Sequence, residues 1–255
     1  MNKHVYESDF ASILRTPIHG IAATRAKLLN VLRSIDYVGW STHEESGRLD
    51  RRAFTRYATG QANIFSRREV VEADTAAVSV LVDCSASMRG EEIRTAQAIS
   101  IQLSSILAKS NAAFEVNGFH GGSSPNDCGS SSETVEYIPF KLWSEPLHRA
   151  AAKLGMMDEL ASSGTPDYSA IYIKLEELAR RTESRKIMFL LTDAEAYITS
   201  HMKYLQEFAD KRGINIVAIG IGDTQVGKCF RNAENVKSAR DIAAKSFGNL
   251  LKAIA

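Results

Sequence analysis

Ala76-Ala77-Val78-Ser79-Val80-Leu81-Val82-Asp83-Cys84-Ser85-Ala86-Ser87-Met88-Arg89-Gly90 is the stretch on which the reading of this chain turns. The run from Ala76 to Val82 is apolar and rich in Val, the composition of a strand covered on both faces. The segment from Glu91 to Lys109 that follows has helical spacing. Asp83, Ser85 and Ser87 are therefore expected on a strand-to-helix turn. In open α/β sheets such turns, at the carboxyl ends of strands, are where ligands bind. Asp and Ser oxygens are hard donors suited to a hard divalent cation. They are also ordinary turn and helix-capping residues, so the triplet alone leaves both readings open.

Two further segments narrow the choice. In Gly164-Thr165-Pro166-Asp167-Tyr168-Ser169-Ala170 a Thr precedes a Pro at what reads as the first turn of a helix reaching about Arg181. Ile187-Met188-Phe189-Leu190-Leu191-Thr192-Asp193 is another apolar strand ending in a carboxylate. Asp-x-Ser-x-Ser, a distant Thr and a strand-terminal Asp, in that order, resemble the metal-ion-dependent adhesion site of the von Willebrand factor A domain. The matching residues are Asp83, Ser85, Ser87, Thr165 and Asp193.

The resemblance implies a bound Mg2+, with Mn2+ or Ca2+ as alternatives. The hydroxyls would touch the ion directly and the carboxylates act mostly through water. One coordination position stays open for an Asp or Glu of a partner protein. No His is spaced to serve as a general base beside these residues, so no catalytic site is expected there.

The remaining chain reads as the same fold. Strands are expected over Ala113–Phe119, Val135–Phe140 at a sheet edge, and Ile214–Ile221. Helices are expected near Glu145–Leu154, from Thr165, over Ser200–Lys211 and over Ala239–Ile254. Strands alternating with helices give a Rossmann-like three-layer α/β/α sandwich with a mostly parallel sheet, here spanning residues 73–255.

Composition sets limits. A chain of 255 residues, 44% hydrophobic, can bury one large core and a small appendage. Lys and Arg total 31 against 30 Asp and Glu, which gives no global case for nucleic-acid or membrane binding. No apolar run approaches the ~20 residues of a membrane span, and the start lacks a signal-peptide core, so a cytoplasmic protein is expected. Cys84, Cys128 and Cys229 show no Cys-x-x-Cys spacing, which argues against a disulfide framework or a thiolate zinc site.

Residues 1–72 fall outside the sheet pattern and read as a helical extension, with amphipathic segments over Thr24–Asp36 and Arg51–Tyr57. Arg48, Arg51, Arg52, Arg56, Arg67 and Arg68, opposed only by Asp50, form either a solvated face or a basic surface for an acidic protein or a phosphate backbone.

A narrower resemblance covers roughly residues 45–255. Gly47-Arg48-Leu49-Asp50, Arg56, Gly60 to Phe65, Asp74-Thr75 and Ser87-Met88-Arg89-Gly90 are similar to the carboxyl-terminal part of the T subunit of aerobic cobalt chelatase. That resemblance implies an AAA+ ATPase partner of the MoxR type, supplying an acidic ligand to the metal, and a separate large subunit that inserts cobalt into the corrin ring. The chelatase subunit has a long acidic amino-terminal region, whereas the residues before the match in this sequence are not acidic. It also carries Ser-Gly-Ser where this chain reads Ser85-Ala86-Ser87, a change small enough to leave the site intact.

Other features carry less. Gly220-Ile221-Gly222-Asp223 lacks phosphate-loop spacing and ends a strand, and with no Walker A sequence an ATPase partner becomes the source of energy. His120, at a strand end, and Asp127, in the Gly- and Ser-rich loop from Gly121 to Ser132, are candidates for the rim that selects the partner. Three functions stand as expectations: a Mg-dependent module coupled to an AAA+ ATPase, a non-catalytic chelatase subunit in cobalamin synthesis, and a nucleic-acid-binding A-domain protein using the basic stretch.

Overall fold

The structure, a computed structural model, describes residues 3–16, 26, 28, 38–50, 57, 60, 63–70, 76–122, 134–162, 164–193 and 198–238. The chain divides into two compact units, Met1–Leu32 with Thr75–Ala255, and Arg33–Asp74.

The larger unit is organised by β4 (Ala76–Asp83), all eight of whose residues are buried. It pairs in parallel with β5 (Ala113–Gly122) on one side and β7 (Arg185–Thr192) on the other. β8 (Ile214–Ile221) and β9 (Asn232–Val236) continue in parallel beyond β7, and β6 (Thr134–Lys141) closes the opposite edge antiparallel to β5. The order is β6-β5-β4-β7-β8-β9. The expected strands are thus present, with β6 at an edge.

Alternation along β4 divides the core. Val78, Val80 and Val82 pack in one cluster with Ile93, Ala96, Ile99 and Leu103 of α2 (Glu91–Leu107) and with Leu154 of α3 (Leu147–Gly155). Ala77 and Leu81 pack in the other with Ile171, Leu175 and Leu178 of α4 (Asp167–Ala179) and with Met202 and Leu205 of α5 (Thr199–Lys211). The three- and four-residue spacing of the apolar positions in α2 puts them on one stripe, and its first turn carries Glu91 and Glu92, which complement the helix dipole. Each fully buried Val or Leu contributes roughly 1.5–3 kcal/mol, so these two faces hold the sandwich together. Ser79, the polar interruption of β4, donates to Glu115 Oε1 at 2.8 Å, and Lys174 Nζ lies 3.8 Å from the same oxygen. A buried carboxylate is thereby matched by a hydroxyl and an ammonium.

The amino-terminal helix α1 (Lys3–Arg15) belongs to this larger unit. Phe10 enters the first cluster, Gln102 Nε2 donates to the Ile13 carbonyl at 3.2 Å, and Tyr6 donates to Glu159 at 2.7 Å. The approach is close enough to need a glycine: a Cβ on Gly155 would stand 2.1 Å from the Tyr6 carbonyl oxygen.

Of the helical extension expected over 1–72 the amino-terminal helix α1 is present, whereas the smaller unit, described by itself, carries strands. β1 (Val38–Glu44) and β2 (Arg48–Leu49) each pair antiparallel with β3 (Phe65–Val70) in a three-stranded sheet, order β1-β3-β2. Trp40 stands opposite Arg68 and Ser41 opposite Arg67, with the register slipping between Thr42 and Glu44. The Ser66 hydroxyl donates to the Arg48 carbonyl and the Asp50 amide to Ile64, which fastens β2. The helix expected over Thr24–Asp36 is described only at Ala26 and Leu28, both helical, and Leu28 is fully buried. The helix expected over Arg51–Tyr57 is described only at Tyr57, which is helical, and residues 239–255 lie outside the described residues. β9 and the short α6 (Val226–Cys229) have no counterpart in the sequence reading.

Among the described residues no helix is long and apolar enough to cross a membrane.

Candidate metal centre

Parallel pairing aligns the carboxyl ends of β4 and β7, because Val82 is in register with Leu191. Asp83 and Thr192 therefore finish neighbouring strands. The Thr192 hydroxyl donates to Asp83 Oδ2 at 3.0 Å. The other carboxylate oxygen, Oδ1, accepts the backbone N–H of Ser85 at 2.9 Å. The loop then turns through a 3-10 segment, Ala86–Met88, and brings Ser85 Oγ and Ser87 Oγ within 3.0 Å of each other. Asp83 and Ser85 have no exposure, whereas Ser87 is exposed. The group opens from a dry floor towards solvent through the Ser87 side.

Asp193, the residue after β7, is buried beside Asp83. Burial pushes the Asp83 carboxyl up to about 6; the Ser85 and Thr192 hydrogen bonds pull it down and the charge of Asp193 pushes it further up. Burial, with the charge of Asp83 added, also raises the Cys84 thiol, so this cysteine is an inert packing residue. Two buried carboxylates and three hydroxyls gather at the ends of β4 and β7, oxygen donors of the kind a hard cation takes. Among the described residues no group of three His, Cys, Asp or Glu side chains is placed to hold a metal. A cation here would rest on hydroxyls as much as on carboxylates, which suits a hard ion.

Thr165 is half-buried on the connection leading into α4, immediately before Pro166 and the first helical residue, Asp167. Its carbonyl accepts the Asp167 N–H at 2.9 Å. The connection is fastened to the Asp83 end of the sheet: the Ser162 amide donates to the Cys84 carbonyl at 2.8 Å and the Gly121 amide to the Gly164 carbonyl at 2.7 Å. Arg89 Nε adds a bond to the Ala161 carbonyl at 2.8 Å. Gly121 suits this approach, since a Cβ there would lie a tight 3.1–3.2 Å from three backbone atoms of Gly164. Thr165 also lines a cleft of about 290 Å³ with Tyr168, Ile198 and His201.

The structure thus joins Asp83, Ser85 and Ser87 directly, puts Asp193 beside them, and brings in the Thr165 connection through backbone bonds. It adds Thr192, which the sequence reading passed over. The available signal was a hydroxyl at the last position of an otherwise apolar strand.

The other predicted residues are placed elsewhere or are not described. His120 is half-buried; its Nδ1 lies 2.9 Å from the Gly121 carbonyl oxygen and its Nε2 3.9 Å from Glu136 on β6. Asp127 lies outside the described residues, as do Arg51, Arg52 and Arg56 and the side chain of Arg68. Arg48 and Arg67 are exposed on β2 and β3 of the smaller unit.

Comparison with known proteins bears on the family and the fold. A family model described as the cobalamin biosynthesis protein CobT VWA domain matches residues 64–254. Among solved structures, proximal thread matrix protein 1 from the mussel byssus, described with a zinc-occupied MIDAS motif, is similar at 15% identity with a TM-score of 0.50, over 71% of this chain and 46% of that one. BatB from Bacteroides thetaiotaomicron is similar at 13% identity and a TM-score of 0.49, over 70% of this chain and 98% of that one. The manganese-loaded TRAP protein of Plasmodium vivax is similar at 14% identity and a TM-score of 0.49, over 71% and 73%. At such identities the likeness concerns the fold.

Proposed function

The chain belongs to the family of cobalamin biosynthesis protein CobT VWA domains, and from that premise we propose that it is a protein-interaction module whose contact point is a Mg2+ ion held by Asp83, Ser85, Ser87, Thr165 and Asp193. The observation that carries this reading is the chain of hydrogen bonds from Thr192 to Asp83 and on to the Ser85 amide, beside the paired hydroxyls of Ser85 and Ser87. It fixes the oxygen donors of two strands and one loop before any ligand arrives. Preorganisation of this kind lowers the ordering cost of binding.

A bound hard cation would supply one open coordination position and a partly neutralised charge, which an Asp or Glu of a partner can complete. Thr192 and the Ser85 amide would hold the Asp83 carboxylate in place. Burial of Asp83 and Ser85 would keep bulk water from the floor of the site, while exposed Ser87 marks the side open to the partner. We assign the partner as an AAA+ ATPase of the MoxR type carrying that acidic residue. The role is contact, with ATP hydrolysis performed by the partner.

The match over residues 64–254 favours a second reading within the same chemistry, a non-catalytic subunit of an ATP-dependent cobalt chelatase. An affinity pull-down from the native lysate with Mg2+ and ATP, wild type against Asp83→Ala, tests both. An AAA+ ATPase retained by wild type only supports the adaptor role, and a corrin-binding large subunit retained with it supports the chelatase. Equal retention by the two baits contradicts the metal-mediated contact.

A further inference from the structure

Arg89 ends the 3-10 turn that carries Ser87, and its Nε donates to the carbonyl of Ala161 at 2.8 Å. Ala161 opens the connection that ends at Thr165. Every other described bond to that connection is backbone to backbone or local: Cys84 to Ser162, Gly121 to Gly164, Thr165 to Asp167, and the Ser162 hydroxyl to Leu160. Among the described residues Arg89 is thus the side chain that ties the serine loop to the threonine connection from outside it. We infer that Arg89 is a positioning residue for Thr165, setting where its hydroxyl stands relative to Ser85 and Ser87. The inference rests on the metal reading proposed above.

Charge and position make opposite predictions here. A guanidinium two residues from Ser87 repels a cation bound there, so if charge were its whole effect, removing it would tighten metal binding. If Arg89 holds the connection, removing it loosens Thr165 and weakens binding. The direction of the change separates the two.

The experiment is a calorimetric titration of Mg2+ into the full chain, as wild type, Arg89→Ala, Arg89→Lys, Thr165→Ala and the Arg89→Ala/Thr165→Ala double variant. Hydrogen exchange of the metal-free proteins accompanies it. Arg89→Ala is expected to weaken Mg2+ binding about three- to tenfold, the scale of one ordinary hydrogen bond's net contribution, because Arg89 acts on the site only through the connection. Arg89→Lys recovers most of that loss. The double variant binds like Thr165→Ala, within about twofold, because residues acting through one another are not additive. Without metal, residues 161–167 exchange faster in Arg89→Ala and at the wild-type rate in Arg89→Lys.

Unchanged or tighter binding by Arg89→Ala overturns the assignment, and so does an equal loss with and without the Thr165 hydroxyl. If the exchange pattern appears but no variant, wild type included, binds Mg2+, then the metal reading fails and Arg89 is left as a loop tether only.

Discussion

The hydroxyl of Thr192 donates to Oδ2 of Asp83 at 3.0 Å across 109 residues of sequence. This bond joins the ends of two neighbouring parallel strands inside the candidate site. Asp83 is fully buried, and burial penalises its charge, so each donor it keeps has a large effect on where and how it ionises.

Thr192→Val tests that bond with little change of shape. The variant keeps the strand but leaves one carboxylate oxygen of Asp83 without this donor. We expect a loss of about 1–3 kcal/mol in stability at neutral pH and a Mg2+ affinity lower by about tenfold. Urea denaturation and calorimetry of the same sample read both effects.

Lys141 gives a pH dependence remote from the metal centre. Its Nζ donates to the Phe114 carbonyl at 2.6 Å and the Leu142 carbonyl at 3.0 Å, and lies 3.7 Å from the Phe114 ring centroid. Burial lowers its pKa from 10.5 to about 8. Between those values the unfolded chain holds the proton and the folded chain has released it, so stability rises with pH across this window. Lys141→Met removes the group. The stability difference between wild type and variant should shift in favour of wild type by on the order of 1–3 kcal/mol from pH 8 to pH 10.5. A flat difference across that range would show that the ammonium is not desolvated.

Gly155→Ala addresses the docking of α1. The added methyl would meet the Tyr6 carbonyl oxygen at 2.1 Å, so α1 and the end of α3 cannot keep their spacing. Overpacking of this kind costs roughly 1–3 kcal/mol. Limited proteolysis should show cleavage within residues 3–15 at lower protease concentration than in wild type, and the thermal midpoint should fall.

The sequence shows some of these features plainly and hides others for physical reasons. β4, β7 and β8 are legible because strands covered on both faces read as near-continuous apolar runs, and β5 because Ala113–Phe119 alternates. Asp83 and Asp193 stand out because they end such runs. Thr192 does not, since a Thr closing a strand is also an ordinary β-former. The sheet of the smaller unit is hidden by Arg67-Arg68-Glu69 in the middle of β3 and by a two-residue β2, neither of which carries an apolar alternation. β9 reads Asn232-Ala233-Glu234-Asn235-Val236, polar because it lies at the edge of the sheet. His120 is a strand-end residue as expected, but its described contacts to the Gly121 carbonyl and Glu136 could not be read without the β5–β6 register.

The most direct test of the account is a calorimetric titration of Mg2+ into the metal-free chain, wild type against Asp83→Ala. The account predicts one site per chain in wild type and a loss of at least about a hundredfold in affinity for the variant, with circular dichroism spectra that superimpose. Equal Mg2+ binding by both proteins, or none by either, would contradict it.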